Sequence, residues 1–216
     1  MRKYFGVHNH TMYSNLRLLD SINRPKDLID TAIQLGLSGI AITDHESLGA
    51  HVEVNKYAEE VYKEHPDFTI ALGNEIYLID GERGNDQKKY YHFILISKDA
   101  IGHRALRELS STAWFYGYES RRQERVPTLK SELIDIVERY KGHLIATTAC
   151  IGGELPSLLL QKWKSLPKEE NDNFMNSLLA ADVEEYNKKI NNFLALMLRL
   201  FGEDFYIECA PSDKPD

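Results

Sequence analysis

Two histidines near the amino terminus, His8 and His10, are separated by a single residue. They follow a short apolar run, residues 4–7, which favours a β-strand. Because side chains two positions apart on a strand point to the same side, both imidazoles can reach one cation. The alternative interpretation is a pair of half-exposed surface histidines. The spacing therefore indicates a candidate metal-binding pair. Whether it forms part of a metal site depends on which other ligands the fold brings next to it.

Four further apolar runs also end in, or contain, side chains that can bind metals. They are Asp44-His45, Glu75, His92 and Cys150. Each type has an ordinary structural explanation: a helix-capping aspartate, a solvated glutamate, a hydrogen-bonded core histidine or a small buried cysteine. Together they offer the nitrogen, oxygen and sulfur ligands that zinc and similar cations accept. Their recurrence along five predicted strands predicts a multi-metal hydrolytic site.

An alternation of strands and helices must position these residues. Apolar runs predict strands at residues 4–7, 39–43, 68–72, 91–96, 143–148 and 204–208. Helical spacing predicts helices at residues 25–35, 49–64, 100–112, 127–140 and 155–200, the last broken near Pro167. Alternating strands and helices favour parallel pairing, because parallel strands need a crossover. We expect an α/β fold, either an open doubly wound sheet or a barrel, with its site at the carboxyl ends of the strands.

Composition narrows the class of protein. The 216 residues carry 26 Lys and Arg against 33 Asp and Glu, a net charge of -7, so a surface that grips many duplex phosphates is not expected. Two cysteines, Cys150 and Cys209, exclude a disulfide framework. No apolar stretch is long enough to span a membrane, and the first residues do not resemble a signal peptide. We therefore expect a cytoplasmic protein without a membrane partner.

The order of the motifs resembles the PHP (polymerase and histidinol phosphatase) domain, especially that of the bacterial DNA polymerase III alpha subunit. The opening motifs are His8-Asn9-His10-Thr11 with Tyr13-Ser14, Leu18-Leu19-Asp20, and Ile42-Thr43-Asp44-His45. The polymerase-like motifs are Gly73-Asn74-Glu75-Ile76-Tyr77, Tyr91-His92-Phe93-Ile94-Leu95, residues 149–156 and Phe205-Tyr206-Ile207-Glu208. The resemblance implies a distorted (β/α)7-type barrel, of which about six strand-helix units are covered, with a three-metal cluster at its rim.

The same resemblance implies a set of ligands. His8 and His10 would bind the first metal, and Glu75 would bridge it to a second metal held also by His92 and Cys150. A third metal would lie between Asp20 and His45, with Asp44 orienting a ligand. Asp20 departs from the usual spacing, because Asn15-Leu16-Arg17 resembles an insertion before it. The metals would be two or three Zn, Mn or Fe ions, and a metal-bound water would attack phosphorus without a protein nucleophile.

One departure concerns the end of the chain. The family pattern closes with an Asp-x-His on its last strand, and residues 209–216 contain none. We therefore expect residues 1–216 to be a single PHP domain that is incomplete at its carboxyl-terminal end. The cluster would then lack a ligand to the first metal and one to the third.

Three functions remain open at this stage. The resemblance favours 3′–5′ exonuclease proofreading at a single-stranded or mismatched DNA 3′ end, within a longer polymerase chain whose nucleotidyl transfer would lie elsewhere in that chain. A stand-alone histidinol-phosphatase-like enzyme and a catalytically inert scaffold that docks a separate exonuclease subunit are the alternatives. Metal content would separate enzyme from scaffold, and the choice of substrate would separate the two enzymes.

The segment 114–125 adds an ambiguous feature. It carries Trp114, Phe115, Tyr116 and Tyr118 together with Arg121, Arg122 and Arg125. Such a mixture could stack bases and contact phosphates of a single strand. An interface with another part of a larger polypeptide is the interpretation we prefer from the sequence alone. Lys88 and Lys89 are expected to lie in a solvated loop.

Overall fold

The computed structural model describes residues 4–16, 21–84, 90–120, 123–166 and 183–209. Its strands are β1 (Phe5–Gly6), β2 (Gly39–Ile42), β3 (Thr69–Ile79), β4 (Tyr91–Ser97), β5 (Tyr118–Ser120), β6 (Gln123–Arg125), β7 (Pro127–Leu129), β8 (Leu144–Thr147) and β9 (Phe205–Tyr206). Its α-helices are α1 (Pro25–Gln34), α2 (His51–Glu64), α3 (Ala100–Phe115), α4 (Lys130–Arg139), α5 (Glu154–Lys164) and α6 (Glu184–Phe201). Short 3-10 turns cover Met12–Leu16 and Gly202–Asp204.

The main sheet has the order β1-β2-β3-β4-β8-β9, and β7 pairs with the carboxyl half of β3. Parallel pairing holds from β1 to β3, between β3 and β7, and between β8 and β9. Strand β4 runs antiparallel to both of its neighbours, β3 and β8. The expectation of parallel pairing throughout is therefore wrong at β4. Only eleven residues separate β3 from β4, fewer than a crossover between parallel strands needs.

The sheet curls until its two end strands approach each other. His8 follows β1 and Glu208 follows β9, and His8 Nδ1 lies 2.8 Å from Glu208 Oε1. An open flat sheet of six strands would hold these ends far apart, because neighbouring strands are about 4.8 Å apart. The expected α/β class with a distorted, barrel-like sheet is confirmed.

Strand β3 is longer than the sequence predicts. The predicted strand stops at residue 72, before Gly73, whereas β3 continues to Ile79. A Cβ atom on Gly73 would lie 2.6 Å from the Leu95 carbonyl oxygen and 2.8 Å from Thr43 Cγ2. The glycine therefore permits a close approach inside the sheet and does not end the strand. As a result Glu75 lies within β3, with its side chain buried.

Two other predicted boundaries move for tertiary reasons. The helix expected at 127–140 begins only at Lys130, because Pro127–Leu129 pairs with Tyr77–Ile79 of β3. The connection expected before it forms the β5–β6 hairpin. The helical region expected at 155–200 is described as α5 and α6, and residues 167–182 lie outside the described part of the chain.

The hydrophobic core has two main parts on the outer face of the sheet. Phe93 and Leu95 of β4 pack with helices α3 to α6, and Ile40 and Ile42 of β2 pack with α1 and α2. The alternate residues of β4, Ile94 and Ile96, point to the inside of the curl and contact Ala41 and Ala149. None of the described helices is long and apolar enough to cross a membrane.

A buried histidine pair links α2 and α3 to the sheet. His51, the first residue of α2, is 4% exposed. Its Nε2 atom donates to the Gly73 carbonyl oxygen at 2.9 Å, so its Nδ1 atom accepts from His103 Nε2 at 3.0 Å. Burial, followed by the charge of His103, lowers the pKa of His51 to about 4. His51 is therefore neutral in the folded chain at neutral pH.

We predict that acidification destabilises the fold through His51. Its unfolded pKa of about 6.5 exceeds its folded value, so the unfolded chain takes up the proton first and stability falls as pH drops from 6.5 towards 4. Between pH 7 and pH 5 the loss is about 2 kcal/mol. Urea unfolding at both pH values measures it.

The matched variants are His51→Gln, which keeps a donor for Gly73 but cannot titrate in this range, and His65→Gln at an exposed position. We expect the pH dependence to shrink by about 2 kcal/mol in His51→Gln and to stay unchanged in His65→Gln. An identical pH dependence in the His51 variant would contradict the assignment.

Candidate metal centre

Glu75 is the centre of the candidate site and is completely buried. Its backbone is fixed by the loop that follows β2: Glu75 N–H donates to the Asp44 carbonyl at 3.1 Å, and Glu46 N–H donates to the Glu75 carbonyl at 2.9 Å. The central strand thus holds the carboxylate rigidly inside the curl. A buried carboxylate costs free energy unless cations or donors surround it.

Four imidazoles surround this carboxylate. Oε2 lies 3.2 Å from His8 Nε2, 3.1 Å from His10 Nε2 and 3.0 Å from His45 Nδ1. Oε1 lies 2.6 Å from His92 Nδ1. The ring of His10 stacks on that of His45 with centroids 4.2 Å apart. The residues come from four separate elements, so only the folded sheet brings them together.

The hydrogen bonds on the far side of two rings determine their tautomers. His8 Nδ1 donates to Glu208, which leaves the Nε2 lone pair facing Glu75. Ser14 Oγ gives its only proton to Asp44 Oδ1, so it accepts from His10 Nδ1 and leaves the His10 Nε2 lone pair facing the same carboxylate. Two lone pairs and a carboxylate oxygen converge on one point. A proton on the imidazoles or a metal cation must lie between them.

The pKa values of His8 and Glu75 also show that the site favours positive charge. Burial lowers the pKa of His8, but the hydrogen bonds and charges of Glu208 and Glu75 outweigh burial and raise it to about 10. Burial raises the pKa of Glu75, but the hydrogen bonds from His10, His45, His8 and His92 hold it far below its ordinary range. The site therefore stabilises cations and keeps its carboxylate ionised.

The spacing of the donor atoms fits a shared metal ion. Two groups have all their donor atoms within 4.8 Å of one another: His8, His10 and Glu75, and His45, Glu75 and His92. Ligands at about 2.0–2.1 Å from a tetrahedral zinc lie roughly 3.3 Å apart. The measured separations of 3.0–3.2 Å at Glu75 Oε2 match that edge length. The mixed imidazole and carboxylate set suits zinc, manganese or iron.

Cys150 lies at the edge of the second group. Its Sγ is 3.5 Å from His92 Nδ1, and this contact lowers the pKa of the Cys150 thiol. The turn that carries it is tight: Ala149 has φ of 55°, and a Cβ on Gly153 would lie 2.1 Å from the Thr148 carbonyl oxygen. Gly152 N–H donates to the sulfur at 3.4 Å. The turn therefore aims a polarised sulfur at His92.

Asp44 is completely buried and accepts three hydrogen bonds. They come from the Thr11 N–H at 2.6 Å, the Thr11 hydroxyl at 2.8 Å and the Ser14 hydroxyl at 2.8 Å. Ser14 in turn contacts His10 Nδ1 at 3.2 Å. Asp44 thus fixes the turn after His10 and is linked to the His10 ring through the Ser14 hydroxyl. This arrangement suits the orienting role predicted for Asp44.

The structure brings together six of the seven predicted ligands: His8, His10, His45, Glu75, His92 and Cys150. The seventh, Asp20, lies outside the described residues. Their roles as ligands stay predictions. His45 contacts Glu75 directly, whereas the family pattern pairs it with Asp20. His92 reaches the rim because β4 is reversed, which places its first residues beside the carboxyl ends of its neighbours.

Glu208 is the site residue that the sequence analysis missed. Its Oε1 holds His8 Nδ1, and its Oε2 accepts from the Thr147 hydroxyl at 3.0 Å. The feature of the sequence that could have identified Glu208 is its position, since it is a carboxylate at the end of the last predicted strand. The expected barrel brings this strand near β1, but no local pattern shows which of its side chains meets His8.

Residues 6–212 match the family model described as PHP domain. The DNA-directed DNA polymerase of Bacillus phage SPbeta is 38% identical over 217 residues, covering 96% of this chain and 16% of that protein. DNA polymerase III subunit alpha of Borreliella burgdorferi is 28% identical, covering 95% and 15%. The chain therefore spans about one sixth of the length of these relatives. A Bifidobacterium adolescentis protein described as a metal-dependent phosphoesterase has 15% identity and a weak TM-score of 0.45, covering 95% of this chain and 85% of that chain.

We predict that Glu208→Ala weakens metal binding at the first group by roughly 10–100-fold, because partners that orient a ligating histidine contribute that much. Without Glu208 the His8 ring loses the bond that fixes its tautomer. Competition with a chromophoric zinc chelator measures the affinity. Glu203→Ala, at an exposed position five residues earlier, is the control and should bind zinc normally. Equal affinities for both variants would show that Glu208 does not orient the ligand.

Proposed function

The chain belongs to the PHP domain family, and we propose that it hydrolyses phosphoesters with two or three bound divalent metals. The substrate that we propose is the 3′ end of a DNA strand, attacked within a longer polymerase chain. The observation that carries the proposal is the buried Glu75 carboxylate, which gathers four imidazoles whose nitrogen atoms can bind a cation.

In this proposal each donor group holds one metal. His8 and His10 would hold the first metal, Glu75 would contribute to both the first and a second, and His92 and Cys150 would complete the second. His45 lies 3.0 Å from Glu75 Oε2, so it can serve either the second metal or a third shared with Asp20. Zinc, manganese and iron all accept this donor set.

Bound divalent cations would supply a water of lowered pKa and would neutralise charge on the phosphate oxygens. The chain's own residues orient the ligands and contribute no nucleophile. Glu208 fixes the His8 ring, and Asp44 acts through Ser14 on the His10 ring. The buried Glu75 stays ionised because its histidine partners hold its pKa low.

The choice of DNA rests on the relatives. The polymerases that match do so over nearly the whole of this chain, while the chain spans about one sixth of their length. We propose that residues 1–216 form a single PHP domain of a cytoplasmic replicative polymerase. Nucleotidyl transfer would then belong to other parts of the parent protein, which would be this domain's main partner.

The test is metal-dependent removal of nucleotides. The 216-residue chain, loaded with manganese or zinc, is given a 5′-labelled DNA strand with a mismatched 3′ end. We expect shortening by single nucleotides from that end, abolished by EDTA. Glu75→Gln should reduce the rate to the level of the metal-free chain, since an amide can neither bridge two cations nor balance their charge.

Glu59→Gln, an exposed change on α2, is the matched control and should retain the wild-type rate. Circular dichroism checks that both variants fold. Release of phosphate only from small monoesters, with the DNA strand untouched, would favour a phosphatase instead. A metal-loaded domain that hydrolyses neither substrate, alone or within its longer polymerase chain, would overturn the enzymatic proposal.

A further inference from the structure

A group of aromatic rings and arginines lies beside the candidate metal centre. We define the aromatic–arginine surface by six described residues: Arg83, Tyr90, Phe115, Tyr116, Tyr118 and Arg125. Phe115 is 80% exposed and Tyr116 is 55% exposed. Rings of this size are normally buried, so an adjacent exposed pair is unusual for a surface without a partner.

The members of this surface form two groups of contacting side chains. The Phe115 and Tyr116 rings meet edge to face with centroids 4.9 Å apart, and Arg83 Cζ lies 5.1 Å from the Tyr116 ring. The hydroxyls of Tyr90 and Tyr118 are hydrogen-bonded, and Arg125 Cζ lies 5.5 Å from the Tyr90 ring. Tyr118 also pairs with Arg125 across the β5–β6 hairpin.

Three connections tie this surface to the metal centre. Tyr90 lies two residues before His92, immediately ahead of the first residue of β4. Trp114, next to Phe115, donates its indole N–H to the Glu46 carbonyl at 2.7 Å, beside His45. Pro127, two residues after Arg125, pairs with Tyr77.

Tyr77, the residue that pairs with Pro127, also contacts the metal centre. Its ring stacks on the ring of His45 with centroids 5.7 Å apart. The surface and the metal centre therefore share one rim of the sheet.

Arg125 is the arginine of this surface that has no carboxylate partner among the described residues. It is half-buried, its Nε atom is buried without a hydrogen-bond partner, and no acidic side chain in the described part of the chain forms an ion pair with it. Arg83, by contrast, is paired with Glu132 at 2.6 Å. A half-buried guanidinium without a counterion is costly, so this position favours an anionic ligand.

The two sequence segments that contribute most of these residues are more basic than the chain as a whole. Segments 82–90 and 114–125 together carry six Lys and Arg against four Asp and Glu, whereas the whole chain carries 26 against 33. The overall composition does not predict a strongly basic face that binds duplex DNA. It still allows a local positive region that attracts the phosphates of one strand. Exposed aromatic rings with arginines are the features that bind single strands by base stacking.

We propose that the aromatic–arginine surface binds single-stranded nucleic acid and leads its 3′ end to the metal centre. Bases stack on Phe115 and Tyr116, and Arg125 contacts a backbone phosphate. The path to the metals rests on the proposed function, whereas strand binding itself does not need hydrolysis. The other occupant to consider is a protein segment that covers the rings, and it would need a carboxylate of its own to pair with Arg125.

The test measures binding in the absence of metals. A fluorescent 12-nucleotide single strand is titrated with the 216-residue chain in EDTA, and anisotropy gives the affinity. We expect Phe115→Ala with Tyr116→Ala to weaken binding by about 30-fold or more, because each lost stacking contact costs at least about 1 kcal/mol. Arg125→Gln should weaken binding several-fold and reduce the slope of log affinity against log salt by about 0.7, the value for one phosphate of a single strand.

Matched controls are Tyr62→Ala and Arg199→Gln, exposed positions on α2 and α6. Both should bind the strand as the wild type does. Hydrolysis of a small phosphodiester by the metal-loaded chain is measured in parallel and should be unchanged in all variants, which separates a failure of the surface from a failure of the metal centre.

Two outcomes would overturn the proposal. One is a wild-type chain that does not bind the strand, or surface variants that bind it with wild-type affinity and salt slope. The other is unchanged strand binding with a loss of self-association in sedimentation velocity, which would identify the surface as a protein interface.

Discussion

The burial of one carboxylate organises this structure. Glu75 lies on the central strand with no exposure to solvent, and the described residues that balance its charge are imidazoles from other elements. An isolated buried carboxylate would be strongly unfavourable, so the histidines are a condition for folding around it as well as candidate ligands. Glu208 and Ser14 fix the rings of His8 and His10, so that the nitrogen atoms facing Glu75 can bind cations. Stability and metal chemistry therefore depend on the same contacts.

The reversed strand and the curl of the sheet are what complete this centre. If β4 ran parallel to β3, His92 would lie far from the rim that collects Glu75 and His45. The curl brings Glu208 from the last strand of the sheet to His8 beside the first. These long-range contacts join elements 200 residues apart, so the site forms only when the whole described sheet has formed.

Much of this could be predicted from the sequence, for identifiable reasons. Residue type and position after apolar runs were enough to select His8, His10 and Glu75, and the ordered motifs indicated the PHP domain, which the family comparison confirms. The length of β3 could not be predicted, because Gly73 serves a contact with Leu95 that no local pattern reveals. The role of Glu208 was missed because no local pattern shows which side chain of the last strand reaches His8.

The most direct test of this account is a crystal structure of the chain soaked in manganese, with anomalous scattering recorded to locate the ions. The account predicts an anomalous peak bonded to a Glu75 carboxylate oxygen and to the Nε2 atoms of His8 and His10, with a second peak beside His92. Ordered manganese only elsewhere on the molecule, or an empty cluster at saturating manganese, would contradict the claim that the buried carboxylate is a metal bridge.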